Sequence, residues 1–124
     1  MTVLKTLKLA TACAGLLLAS AASANCAEEV GYVATFNVKA GSEAAFESAV
    51  LDLAAAVNEV EEGVILYAPY KGNEGKYYML ERYASEAARE AHGKAPEVAA
   101  LFPAIGPHLA GAPDVQPVSA VCAK

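Results

Sequence analysis

Residues 64–83, VILYAPYKGNEGKYYMLERY, carry the strongest topological signal in the chain. Val64 to Tyr70 is a short apolar and aromatic run, and Lys76 to Tyr83 is a second, each of strand length. Between them stands Gly72-Asn73-Glu74-Gly75, a cluster of residues that tolerate positive φ. The chain therefore reverses there, and the two runs pair as a hairpin. On the second run Tyr77, Met79, Glu81 and Tyr83 share one face, while Tyr78, Leu80 and Arg82 share the other.

Upstream, Val30 to Lys39 also reads as a strand. Val30, Tyr32, Ala34, Phe36 and Val38 alternate with Val33, Thr35 and Asn37. Gly41 ends it, and Ser42 stands where an N-cap is wanted. Phe46, Val50, Leu53, Val57 and Val60 then recur at spacings of four and three, an apolar stripe on a helix running to about Glu61. Downstream of the hairpin, Ser85 caps a short helix through His92, and Gly93 terminates it. Pro96 suits the first turn of a further helical stretch that ends around Pro103 to Leu109. Asp114 to Val121 closes the chain as a fourth strand, in which Pro117 signals an edge, a bulge or a late start.

The order is β-α-β-β-α-β, with the second helix split at Gly93. That is an α+β, ferredoxin-like arrangement: a four-stranded antiparallel sheet with helices on one face. In it the first and last strands are antiparallel neighbours, so Cys26, before the first, lies beside Cys122, after the last. A disulfide between them would close nearly the whole domain, worth up to ~4–5 kcal/mol in the chain-entropy model. The alternatives are two free thiols, or a bond between two chains if the last strand crosses to a partner.

Residues 1–24 read as a cleavable secretory signal. Lys5 and Lys8 make a positive start, and an apolar run from Leu9 to Ala19 follows. At about ten residues it is too short to span a bilayer of ~30 Å. Ala22-Ser23-Ala24 matches the A-x-A cleavage pattern, which would leave residues 25–124 as the mature domain. A lipid anchor on Cys26 is disfavoured, because Ser23 and Asn25 stand where a lipobox wants an aliphatic and a small residue. No stable membrane anchor is expected. Removing Lys5 and Lys8 leaves 7 basic against 14 acidic residues, a net charge near −7. That balance argues against nucleic acid and anionic membrane surfaces as partners. A chain of about 100 residues is one domain with a modest core. The expected location is periplasmic or secreted, where a disulfide persists.

Several segments in order resemble the antibiotic biosynthesis monooxygenase family, which includes quinol monooxygenases. Val38-Lys39-Ala40-Gly41-Ser42-Glu43 is similar to its first strand-to-helix turn. Glu61-Glu62-Gly63-Val64-Ile65-Leu66-Tyr67 is similar to its E-P-G-C-x-x-Y segment, with Glu62 at the proline position. Residues 78–88, from Tyr78 through Glu81 and Tyr83 to Ala88, resemble its L-E-x-W-x-x-x-x-A segment. His92 falls where the family commonly has a histidine. Tyr83 stands at the position of the strand tryptophan, and the chain has no Trp at all. Heme-degrading relatives rely on that tryptophan, so heme chemistry is not implied.

The resemblance implies a homodimer packed sheet to sheet as an α/β-barrel, and oxidation of quinols or related electron-rich aromatics with molecular oxygen, without a metal or flavin cofactor. Such chemistry needs an apolar aromatic pocket, a group to take a phenolic proton, and polar groups to stabilise the anion. His92 is the candidate for the proton, against its reading as a solvent-facing histidine at a helix end. Tyr67 and Tyr83 are candidate pocket walls. Asn37 and Arg82 are candidate substrate contacts, against a barrel-seam role for Asn37 and an ion pair or dimer contact for Arg82 and its neighbour Glu81. His108 reads as surface. The histidines and carboxylates have no metal-ligand spacing. The alternative to an enzyme is a non-catalytic dimeric module of the same fold that binds a small ligand or serves a stress role.

Overall fold

The computed structural model describes residues 25–122; the expected signal, residues 1–24, lies outside them. The elements run β1 (Val30–Asn37), α1 (Glu43–Val60), β2 (Val64–Lys71), β3 (Lys76–Tyr83), α2 (Glu86–Ala91), α3 (Pro96–Ala99) and β4 (Asp114–Ser119). Two 3₁₀ turns, Phe102–Ala104 and Gly106–His108, follow α3. The sheet order is β2-β3-β1-β4, all neighbours antiparallel, which is the ferredoxin-like arrangement. β4 pairs only with β1, so Pro117 sits on an edge strand, where a missing ladder donor is tolerated.

The hairpin's positive φ values fall on Glu74 (53°) and Gly75 (72°), inside the expected turn, which the Gly72 N–H closes by donating to the Lys76 carbonyl. Local chemistry departs from expectation at two places. Ser42 occupies the N-cap position of α1 without a side-chain cap bond. Val60, at the last position of α1, is 40% exposed although it continues the apolar stripe. Ser85 does cap α2, its hydroxyl accepting from the Ala88 N–H at 3.2 Å.

Phe46, Val50, Leu53, Ala54 and Val57 of α1 are buried against Ala34, Tyr67, Tyr77 and Met79 of the sheet, with Val98 and Ile105 completing the core. Asn58 fastens α1 to β2 by donating to the carbonyls of Ala54 and Tyr67. Gly63, between α1 and β2, has φ +83°, and a Cβ there would lie 2.7 Å from the Ala88 Cβ. Only glycine lets α2 close onto that turn. On the other face of the sheet Val33, Leu66, Tyr78 and Leu80 are only partly buried.

Cys26 and Cys122 are joined in a disulfide within the chain, with Cα atoms 5.8 Å apart and 96 residues between them in sequence. The pairing of Val30 with Ser119 brings the start of β1 and the end of β4 together, as the topology requires. Among the described residues no helix is long and apolar enough to cross a membrane.

Candidate functional site

A cavity of about 470 Å³ lies between the helices and the sheet. Its walls are largely apolar: Phe36, Leu53, Phe102, Ile105, Leu109 and Val115. Tyr67, Glu81, Arg89 and His92 supply the polar groups. A mostly apolar pocket with a few convergent polar side chains is the form small-molecule sites take.

His92 is the C-cap residue of α2, and its ring is nearly buried, at 9% exposure. Its Nδ1 lies 2.7 Å from Oε2 of Glu61, the residue that ends α1. The other carboxylate oxygen, Oε1, accepts the Gly93 N–H at 2.7 Å. A carboxylate only accepts hydrogen bonds, so Nδ1 carries the proton facing it. In the neutral ring Nε2 is then the basic nitrogen, and it has no partner among the described residues. Aromatic rings fix the imidazole's orientation: Tyr67 at 5.0 Å, Tyr83 at 5.5 Å and Phe102 at 5.9 Å between centroids.

Behind this pair lies a second polar group. Tyr83 is fully buried, and its hydroxyl donates to Oε2 of Glu81 at 2.7 Å. Burial raises the Tyr83 phenol well above its ordinary range, and the bond to Glu81 adds to the effect. Burial likewise raises Tyr67, with the charges of Glu81 and Glu61 adding and Arg89 opposing. Both phenols therefore hold their protons near neutrality and act as donors. His92 offers the unpartnered Nε2 as an acceptor in a cavity whose lining also holds the Glu81 carboxylate.

Of the residues singled out in sequence, the structure brings His92 and Tyr67 together on the cavity wall, with Tyr83 packed behind the imidazole. Asn37 and Arg82 are elsewhere. Both are exposed and occupy the sheet face opposite Phe36 and Glu81, because successive strand residues point to opposite sides. Arg82 pairs instead with Glu29 at 2.6 Å. Asn37 makes no side-chain hydrogen bond among the described residues; it pairs with Lys76 in the sheet, and its carbonyl accepts from the Ala110 N–H. His108 is half-buried in its 3₁₀ turn, outside the cavity lining. Two contributors escaped sequence reasoning. Glu61 was visible as the acid of Glu61-Glu62-Gly63, but nothing local tied it to a histidine 31 residues on. Arg89 lies in the short helix expected through His92, and nothing in that stretch of sequence sets it apart. Among the described residues no three His, Cys, Asp or Glu side chains gather as metal ligands would.

The model of a family described as antibiotic biosynthesis monooxygenase matches residues 30–104. A crystal structure from Caulobacter crescentus CB15, itself only provisionally assigned as an antibiotic biosynthesis monooxygenase, is 39% identical, with a TM-score of 0.72 over 77% of this chain and 92% of that one. A conserved protein of Methanosarcina mazei Go1 shares the fold at 21% identity, with a TM-score of 0.71 over 77% of this chain and 96% of that one. So does Rv0793 of Mycobacterium tuberculosis, at 20% identity and a TM-score of 0.68, over 77% and 97%. No curated protein matches the chain in sequence.

Proposed function

Because this chain belongs to the antibiotic biosynthesis monooxygenase family, we propose that it is an exported, cofactor-independent monooxygenase of quinols or related electron-rich aromatics. The observation that carries the reading is the Glu61–His92 pair set in an aromatic cavity. Nε2 of His92 takes the phenolic proton, and Glu61 stabilises the imidazolium that results. The phenolate gives up electrons to oxygen far more readily than the phenol. The overall change balances without a second reductant: quinol and O₂ give hydroxyquinone and water, one oxygen atom entering the ring. Tyr67, which lines the cavity and is kept protonated by burial, serves in this reading as a donor to the developing anion.

Export rests on the signal read at residues 1–24 and is supported by the disulfide, which persists in oxidising compartments. A homodimer is part of the same reading. The face bearing Val33, Leu66, Tyr78 and Leu80 lies opposite the helices, and a partner's identical face is its simplest cover. Arg82 and Asn37 lie on that face and belong to the seam in this reading.

Oxygen uptake with a reduced naphthoquinol should exceed autoxidation, and His92→Ala should remove the excess. Uptake equal to the blank for both proteins refutes the enzyme. A thermal shift with quinones but no turnover would leave the non-catalytic binding module in its place.

A further inference from the structure

We propose that the cavity selects an aromatic ligand bearing an ionised acidic group, such as a carboxylate, and that Arg89 is the residue that selects it. The inference names the substrate class of the oxygenase reading and rests on that reading for turnover alone.

Arg89 projects from α2 into the cavity lining. Its guanidinium carbon lies 4.6 Å from the Tyr32 ring centroid and 5.7 Å from that of Tyr83. The two rings hold the guanidinium in place by cation–π attraction, and its side-chain N–H donors have no hydrogen-bond partner among the described residues. Nε is buried and has no hydrogen-bond partner. The ion pairs among the described residues join Lys71 to Glu47, Arg82 to Glu29 and His92 to Glu61; none reaches Arg89.

Arginine stays charged in any such setting, and buried donors are almost always satisfied. A guanidinium without an acceptor, in a largely apolar cavity, is what a ligand carboxylate completes. Glu81 is the one carboxylate in the lining, and it is engaged by the Tyr83 hydroxyl. Its repulsion confines the ligand's acidic end to the Arg89 side. The aromatic body then lies against Phe36, Leu53 and Phe102, within reach of His92.

The test compares two probes of one shape, 2-naphthoate and neutral 2-naphthylmethanol, by fluorescence titration of the purified protein. The chain has no Trp, so naphthyl emission is read without interference from indole. Wild type should bind naphthoate at least about tenfold more tightly. Arg89→Leu should bring the two affinities together, and Arg89→Lys, which keeps the charge but loses the fork, should retain part of the preference. Equal affinities in wild type, no measurable naphthoate binding, or a preference that survives Arg89→Leu each overturn the proposal. If Arg89→Leu does not fold, the wild-type comparison and Arg89→Lys decide it. Quinol-dependent oxygen uptake, assayed in parallel, separates the two readings. A naphthoate preference without uptake removes the oxygenase and leaves the anion site. Uptake on neutral quinols with no preference does the reverse.

Discussion

Glu61→Gln is the perturbation that most directly examines the site. The replacement keeps shape but changes one oxygen for an NH₂. The two bonds of Glu61, to His92 Nδ1 and to the Gly93 N–H, are both 2.7 Å. A glutamine can keep the Gly93 bond only by turning its oxygen toward it, which turns its NH₂ toward Nδ1. Nδ1 must then accept, and the proton moves to Nε2. The ring is unchanged in position and wrong in tautomer. General-base assistance is worth about 10²–10⁴, so quinol-dependent oxygen uptake should fall by about that factor.

The same variant should be only modestly less stable. Converting a charge-assisted bond to a neutral one costs about 1 kcal/mol each, offset in part by no longer burying a charge. A net loss of about 1 kcal/mol lowers Tm by roughly 4–8 °C in a domain of this size. Nitrogen NMR of the imidazole reads the tautomer independently of turnover, Nδ1–H in wild type and Nε2–H in the variant. If the tautomer does not change, or uptake stays within about threefold of wild type, the reasoning about Glu61 fails.

Other expectations follow from named features. Cys26→Ser should cost up to about 4–5 kcal/mol in urea unfolding, because the bond closes nearly the whole domain; a midpoint that does not move with reductant would contradict this. Gly63→Ala should cost about 1–3 kcal/mol through left-handed strain and the clash with Ala88. Pairing it with Ala88→Gly should recover the clash part alone, and a purely additive double variant would show that no clash exists. Tyr67, Tyr77 and Tyr83 are all raised by burial, so the unfolded chain loses their protons first. Stability from them is full below roughly pH 10 and is lost as pH rises above it. Tyr83→Phe should flatten the alkaline fall in Tm and shrink the accompanying tyrosinate absorbance. Intact mass of the exported protein should show a start at Asn25 together with a two-hydrogen deficit; a retained leader would sink the export reading.

Features written in local periods were legible in the amino-acid sequence. The period of two over residues 30–39 and 76–83, and the stripe from Phe46 to Val57, specified β1, β3 and α1 to within a residue or two. Their order then made β1 and β4 neighbours, and with them Cys26 and Cys122. Parity also divided the side chains of β1 and β3 into two sets, as their pairing has them. Which set faces a cavity was not in the parity, since both faces of this sheet carry apolar residues. Packing of α1 and α2 chose the face of Phe36 and Glu81, and so carried Asn37 and Arg82 away from it. The pairing of His92 with Glu61, and the cation–π contact of Arg89 with Tyr32, likewise belong to the tertiary structure. Each joins residues from elements whose meeting point depends on how a helix end crosses a sheet. No local pattern encodes that distance.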